Sequence, residues 1–124
     1  MPFIWVLTGV ILDQTSKWLA LRLPSVYTVH NQGAAWGLFS HYTGILIIIG
    51  SLVSLYGLIT LYNSDRPAWG LCLLIAGAIG NTLDRLYHGA VIDFIAIGPF
   101  PVFNLADSFI SIGIFMMYYD TLAV

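Results

Sequence analysis

The sequence is poor in charged residues. Of its 124 residues only 8% are Asp, Glu, Lys or Arg, whereas 59% are apolar, and the mean hydropathy is +0.88. Such a composition does not supply enough polar side chains to cover a water-facing surface, so we expect lipid to be the main solvent. The four Lys and Arg residues form no basic patch and the formal net charge is −2, which argues against nucleic acid as a partner.

Cysteine and the usual motifs of metal and serine hydrolases are also scarce. Cys72 is the only cysteine, which excludes a disulfide framework and a cysteine-based zinc site. The histidines lack metal-ligand spacing, and no His-Glu-x-x-His or Gly-x-Ser-x-Gly motif occurs. Ser16 and Lys17 are neighbours that face different ways on a helix, so they do not suggest a serine nucleophile. We therefore expect no metal and no other cofactor.

Long apolar runs are what the sequence has in abundance. Four of them, residues 2–23, 44–62, 68–86 and 102–119, approach the roughly 20 residues with which a helix crosses a bilayer. No Pro-, Gly- or Ser-rich linker divides the chain. The sequence therefore predicts an all-α membrane protein with four transmembrane helices, in a single domain of residues 1–124. We expect the first helix to be retained, because no Lys or Arg precedes it and three more runs follow.

Two long connections interrupt the helical pattern. Residues 24–42 contain the run Val26 to Val29 and are expected to be partly extended, and residues 87–101 are rich in Gly and Pro. The short polar turn at residues 63–67 predicts that the second and third helices are antiparallel neighbours. Both long connections then lie on the same face, where we expect a small extended or β-like region.

The ionisable residues in the apolar runs are functional candidates, because a charge in a bilayer is costly unless it is paired or faces a wet cavity. Asp13 and Lys17 are four residues apart and can pair on one helix face, as a structural ion pair or in direct chemistry. Asp84 is expected to cap or pair locally. Asp107 is expected about six residues, or roughly 9 Å, below the start of the fourth helix.

Asp93 and Asp107 are joined by a turn-rich segment that can fold one toward the other. Two carboxylates held close cannot both ionise, so they share a proton and provide an acid and a base in one place. The ionised group can take a proton from water while its protonated neighbour binds the scissile carbonyl, which allows peptide hydrolysis without a metal. On spacing alone, two aspartates that merely cap helices or bind the backbone are an equal alternative.

Five segments, in order along the chain, resemble the motifs of the lipoprotein signal peptidase (signal peptidase II) family: residues 13–17 (DQTSK), 31–37 (NQGAAWG), 80–86 (GNTLDRL), 91–94 (VIDF) and 103–108 (FNLADS). The resemblance implies an aspartic endopeptidase, multi-pass in the bacterial inner membrane, with its active site toward the periplasm. Its implied substrate is a prolipoprotein with a diacylglyceryl-cysteine, cut just before that cysteine. We expect membrane lipid around the enzyme and a monomeric state.

The resemblance also implies roles for individual residues. Asp93 and Asp107 match the catalytic pair, and Asp13 and Lys17 match the first motif, with the structural ion pair still open. Small and polar residues near the dyad match substrate-binding positions, namely Asn31, Gly33, Asn81, Arg85 and Asn104. Next to Gly33, the small residues Ala34 and Ala35 would let a peptide or acyl chain approach the loop backbone.

Some features depart from the family pattern. Trp36 and Thr82 stand where a phenylalanine and an aliphatic residue are usual, and we expect them to affect substrate preference. Lys17, Arg22 and Arg85 lie toward the long connections and only Arg66 lies at the short turn, a count that by the positive-inside rule would direct the long connections to the cytoplasm.

Two other functions stay open. A small four-helix transporter would use Asp13 or Asp107 as a proton or cation site near the midplane. A non-catalytic relative would keep a groove for lipid or peptide without turnover.

Overall fold

The computed structural model describes residues 1–34, 36 and 38–124. They form helices α1 (Pro2–Arg22), α2 (Thr43–Tyr62), α3 (Trp69–His88) and α4 (Leu105–Leu122), with strands β1 (Val29–Asn31) and β2 (Val91–Asp93). The mostly helical architecture with a small extended region agrees with the sequence prediction. Ala35, which was expected to let substrate approach the loop backbone, lies outside the described residues, as does Gly37.

Helix α3 is the centre of the fold and packs against the three other helices. Small residues allow the close approach: a Cβ on Gly77 would lie 2.5 Å from the Ala106 carbonyl oxygen on α4, and one on Gly57 would lie 2.6 Å from the Ile75 side chain. Such contacts suit helices in lipid, where association depends on packing rather than on the hydrophobic effect. The buried apolar core lies on α3 and its neighbours and comprises Val6, Leu61, Leu71, Cys72, Ile75 and Ala76.

The two long connections meet in a two-stranded antiparallel sheet, with Val29 opposite Asp93 and Asn31 opposite Val91. The extended part of the first connection begins at Val29, three residues later than the start of the predicted run. Helix α3 ends at His88. The next residue, Gly89, has a φ of 70°, donates its N–H to the Arg85 carbonyl oxygen and turns the chain into β2. Both long connections therefore lie at one end of the helices.

Helix α4 begins three residues later than the sequence suggested. Phe103 is held extended by a β-bridge to Ile95, and Asn104 caps the helix, so α4 starts at Leu105. Asp107 consequently lies in the first turn of α4, and the prediction of about six residues below the helix start was wrong.

The outer faces of the helices are apolar. On α2 the exposed residues include Ile48, Leu52, Leu55 and Ile59. Among the described residues, α2 is the one helix that is long and apolar enough to cross a membrane on length and composition alone. Each of the other helices contains at least two charged residues, and most of these lie at the end of the molecule that carries the sheet.

Candidate active site

Asp93 ends strand β2 and is almost completely buried, with 3% of its surface exposed. Asn31 lies diagonally across the sheet on the same face, so their side chains can meet. Asn31 Nδ2 donates to Asp93 Oδ2 at 3.2 Å, and Asn104 Nδ2 donates to Asp93 Oδ1 at 2.8 Å. One carboxyl group thus receives an amide hydrogen bond at each oxygen.

Asp107 belongs to a reciprocal cap at the start of α4. The Asp107 backbone N–H donates to Asn104 Oδ1 at 2.9 Å, while the Asn104 backbone N–H donates to Asp107 Oδ2 at 3.1 Å. This capping box satisfies two backbone donors and fixes both side chains. The other carboxylate oxygen, Oδ1, accepts from Asn81 Nδ2 at 2.9 Å.

Two asparagine amides connect the two aspartates. The fully buried Asn104 donates through Nδ2 to Asp93 and also to Asn81 Oδ1 at 3.0 Å. Asn81 in turn donates to Asp107. Because each amide has a donating and an accepting side, the path from Asp93 through Asn104 and Asn81 to Asp107 is continuous. Asp107 does cap its helix, as the capping alternative supposed, and the same side chain is joined to Asp93 by this path.

A buried ion cluster lies beneath this path. Lys17 Nζ is 2.7 Å from Asp13 Oδ2 and 2.8 Å from Asp84 Oδ2, and it donates to Asn81 Oδ1 at 3.2 Å. We call Lys17, Asp13 and Asp84 the lysine cluster. Gln14 Nε2 braces it, donating to Asp13 Oδ2 and Asp84 Oδ1, each at 3.1 Å. The predicted pair of Asp13 with Lys17 is present.

The carboxylates of the lysine cluster also hold the backbone beside the site. Asp13 Oδ1 accepts from the Ala106 N–H at 2.8 Å, and Asp84 Oδ2 accepts from the Ile92 N–H at 3.0 Å. Asp84 therefore pairs with a lysine on a distant helix as well as with nearby backbone, and the expectation of a purely local role for it was wrong. A cation on α1 could not be assigned to Asp84 from spacing along the chain.

Arg85 and Gly33 join the first long connection to α3. Arg85 Nη2 donates to the Gly33 carbonyl oxygen at 3.0 Å, and the Gly33 N–H donates to Asn31 Oδ1 at 2.9 Å. Gly33 is buried against loop backbone, where a Cβ would overlap the Leu38 carbonyl oxygen. Glycine is therefore needed here for the loop to close on itself rather than only for approach by substrate.

A cavity of about 510 Å³ opens beside the two aspartates. Its polar wall is formed by predicted site residues, namely Asn31, Gly33, Asn81, Arg85, Asp93 and Asp107. Its other wall is apolar and includes Phe100, Val102, Ile110 and Ile112. The structure thus brings six of the predicted site residues to one cavity, whereas Asn104, Asp13 and Lys17 lie behind the polar wall.

The first long connection contributes one aromatic side chain, that of Trp36, to this cavity. Trp36 lines it and is 73% exposed. Trp36 and Phe39 have φ angles of 63° and 61°, in the left-handed region that bulky side chains seldom adopt. A second cavity of about 410 Å³ continues past Trp36 and is also lined by Asp93 and His30.

The electrostatics distinguish Asp93. Burial, followed by the negative charge of Asp107, raises the pKa of Asp93 from 3.8 to about 6, while bonds from Asn31 and Asn104 and the charge of Lys17 oppose the shift. Asp93 therefore retains its proton to higher pH than a solvated aspartate. Among the described residues no group of three or more His, Cys, Asp or Glu side chains is arranged to hold a metal ion.

Two residues of this region were not predicted as site residues: Asp84, which belongs to the lysine cluster, and Gln14, which donates to it. Each lies within a segment that resembles a family motif, residues 80–86 and 13–17, and that position was the available signal. Spacing along the chain does not reveal these roles, because Asp84 pairs with Lys17 on α1 and Gln14 donates to Gly80 and Asp84 on α3.

The fold thus carries, at one end of its helices, a part-apolar cavity lined by Asp93 and Asp107. The family model of signal peptidase (SPase) II matches residues 5–123, so the chain belongs to the signal peptidase II family. The resemblance of the five motifs is thereby confirmed.

Curated relatives extend over most of the chain. A lipoprotein signal peptidase of Geobacillus kaustophilus (strain HTA426) is 38% identical, over 95% of this chain and 91% of the relative. A lipoprotein signal peptidase of Thermodesulfovibrio yellowstonii (strain ATCC 51303 / DSM 11347 / YP87) is 39% identical, over 91% of this chain and 88% of the relative. The similarity therefore includes every element described above.

Two solved structures share the fold. Both are bacterial membrane enzymes determined by the in meso method, at 2.3 Å and 1.9 Å resolution. The first superposes with a TM-score of 0.87, at 28% identity, over 98% of this chain and 87% of that chain. The second has a TM-score of 0.82, at 28% identity, over 98% and 92%.

Proposed function

We propose that this protein is a protease that removes signal peptides from prolipoproteins, cutting just before a diacylglyceryl-cysteine. Membership of the signal peptidase II family and the lipoprotein signal peptidases among its relatives support this function. The observation that carries the chemistry is the bonding of Asp93 and Asp107 to the same asparagine, Asn104, at the edge of one cavity. The transporter interpretation has no support, because the family is one of peptidases.

The proposed catalytic type is aspartic. The raised pKa of Asp93 favours Asp93 as the protonated partner, which would hydrogen-bond the scissile carbonyl oxygen. Asp107, in its ionised form, would take the proton from the attacking water. As the tetrahedral intermediate collapses, one carboxyl group returns a proton to the leaving amine. No metal or other cofactor takes part in this scheme.

The polar residues around the dyad would position the substrate. Asn31 holds Asp93, and Asn81 and Asn104 hold the two aspartates at a fixed separation. Arg85 ties the first long connection to α3 and lines the cavity, where its charge would neutralise the dyad and its free donors would bind substrate carbonyl oxygens. Gly33 presents backbone rather than a side chain to the bound peptide.

The apolar wall would accept lipid. Phe100, Val102 and Ile110 line the cavity opposite the polar residues, and the apolar outer faces of the helices surround it. A lipid-anchored peptide could then enter from the side, with its acyl chains against this wall and its peptide bond at the aspartates. Membrane lipid would be a constant neighbour of the enzyme.

We also propose a single domain with four membrane-spanning helices in the bacterial inner membrane, working as a monomer, with the sheet end toward the periplasm. The count of basic residues along the sequence favoured the opposite orientation, but two of the counted residues are engaged within the protein. Lys17 is neutralised in the lysine cluster and Arg85 is half-buried against Gly33, which leaves Arg22 against Arg66. With Arg22 at the sheet end and Arg66 at the other end of the described chain, the positive-inside rule favours neither orientation.

Cleavage of a diacylglyceryl-modified prolipoprotein by purified protein in detergent tests the proposal. Asp93→Asn and Asp107→Asn remove a charge with little change in volume, and each is expected to abolish cleavage. Asp120→Asn, at the exposed far end of α4, is the matched control and should cleave normally. A folded parent protein that leaves the lipid-modified substrate intact would overturn the function. Cleavage by both dyad variants would overturn the aspartic mechanism alone.

A further inference from the structure

The lysine cluster is linked to the proposed dyad through three neighbouring groups. Asp13 accepts the N–H of Ala106, which directly precedes Asp107, and Asp84 accepts the N–H of Ile92, which directly precedes Asp93. The third contact runs through a side chain, because Lys17 Nζ donates to Asn81 Oδ1. Each aspartate of the dyad is thus held at the backbone one residue upstream, by carboxylates that share one ammonium group.

We propose that Lys17 is a positioning residue that sets the relative placement of Asp93 and Asp107, acting through Asp13, Asp84 and Asn81. This inference rests on the proposed function and deepens it. A pair of charges that only fixed α1 to α3 would not need to bind the backbone beside either aspartate. Here both counter-ions of Lys17 do so.

The hydrogen-bond capacity of the ammonium group supports the assignment. A lysine ammonium has three donors and no acceptor; it donates to Asp13 and Asn81 and forms an ion pair with Asp84 at 2.8 Å. The Asn81 carbonyl therefore faces Lys17, and its amide nitrogen must face the Asp107 carboxylate. A reversed amide would set two donors against each other at Lys17 and leave Asp107 Oδ1 without its bond, so Lys17 fixes the orientation of the amide that contacts the dyad.

The cluster is also suited to hold a fixed geometry. Lys17 is 3% exposed, and Asp13 and Asp84 are 0% and 2% exposed, so water does not compete for these bonds. The members come from α1 and α3, while the bonded backbone belongs to α4 and β2. One buried group therefore links four elements that carry or support the site.

Turnover and its pH dependence separate positioning from a purely structural role. The charges that act on Asp93 are those of Asp107 on α4, Lys17 on α1 and Arg85 on α3. Asp13 and Asp84 pair with Lys17, and His30 on β1 lines the second cavity together with Asp93. Of these, Lys17 lowers the pKa of Asp93. Loss of the ammonium should therefore move the descending limb of the pH profile upward, a change that partial unfolding does not produce.

The test uses the double variant Lys17→Met, Asp84→Asn, which removes one charge of each sign and keeps a carbonyl oxygen for the Ile92 N–H. We expect a folded protein with kcat lower by about 100-fold, KM little changed and a descending limb at higher pH. Arg66→Met removes an exposed cation at the opposite end and is the matched control, with wild-type kcat and profile. The milder Asp84→Asn variant keeps Lys17 and should lose about tenfold in kcat.

Wild-type kcat and pH profile in either folded variant would overturn the positioning role. A loss of activity that matches the loss of folded protein, with an unchanged profile, would also overturn it and leave a structural pair. Should the double variant not fold, Asp84→Asn decides the matter by kcat per folded molecule. Because this variant keeps the Lys17 charge, its pH profile should match the wild type, and a wild-type kcat would overturn the positioning role. If the parent protein cleaves nothing, the proposed function fails, whereas the pKa of Asp93 measured by carbon-13 NMR in these variants still tests the positioning.

Discussion

The rate of cleavage should depend on pH through the proton that Asp93 and Asp107 share. The pKa of Asp93 is raised from 3.8 to about 6, first by burial and then by the charge of Asp107. At about 1.36 kcal/mol per pH unit, a shift of roughly 2 units is about 3 kcal/mol of preference for the protonated form. Since the proposed reaction needs one protonated and one ionised group, kcat/KM should fall about tenfold per unit above pH about 6.

The titration itself can be observed without turnover. All six acidic residues are aspartates, so carbon-13 labelling of the Asp carboxyl carbons gives one small set of signals. The signal that disappears in Asp93→Asn identifies Asp93, and its midpoint in wild-type protein should lie near pH 6. In Asp107→Asn the midpoint of Asp93 should move to lower pH, because the like charge is gone. Asp120→Asn should leave it in place.

The same shift should appear in stability. Between about pH 4 and pH 6 the folded chain keeps the proton of Asp93 while the unfolded chain has lost it. The free energy of unfolding should therefore fall as pH rises through this window, by up to about 3 kcal/mol, and Asp93→Asn should lack this component. A kcat/KM that is flat from pH 5 to 8 together with an Asp93 midpoint near 4 would refute the reasoning.

Three further substitutions test the packing and the loop. Arg85→Lys keeps the charge but loses the planar guanidinium group that reaches the Gly33 carbonyl oxygen. The KM for the lipid-modified substrate should therefore rise about tenfold with an unchanged melting temperature. An unchanged KM would contradict this. Thr82→Val removes a buried hydroxyl that has no partner among the described residues, and should raise the free energy of unfolding by about 1 kcal/mol, whereas a loss would show that the hydroxyl is bonded. Gly113→Ala places a Cβ 2.5 Å from a backbone oxygen of α3 and should lower the free energy of thermal unfolding by about 1–3 kcal/mol. Gly44→Ala, whose Cβ would have no atom within 4 Å, is the neutral control. Equal effects of the two variants would contradict the close packing.

Hydropathy and spacing predicted the helices well because each apolar run can bury its side chains only against lipid or against another helix. The observed ends differ from the predicted ones by at most three residues, and the largest errors lie at both ends of α4. The apolar pattern predicted a start at residue 102, but the β-bridge of Phe103 and the cap by Asn104 move the start of the helix to Leu105. The start of α4 therefore depends on tertiary contacts, which apolar periodicity does not reveal.

The site was predictable to the extent that its residues lie in recognisable segments. Asp93 and Asp107 stand out as carboxylates in a chain with few charges, and Asn31, Asn81 and Asn104 came from the family resemblance. Their hydrogen-bond partners were not predictable, since they depend on how α1, α3 and the sheet pack together. The contact of Lys17 with Asp84 is the clearest example, because nothing in the spacing along the chain joins those two residues.

The order in which the chain is synthesised gives the position of Asp107 a biological consequence. Asp13 and Lys17 can pair within α1 alone, so the first helix can enter the membrane with its central charges balanced before the rest of the chain exists. Asp93 follows much later, and Asp107 comes with α4, the final helix of the described chain. A nascent chain therefore contains no complete dyad. On the proposed mechanism, the enzyme acquires its ability to cut peptide bonds only after α4 has been synthesised.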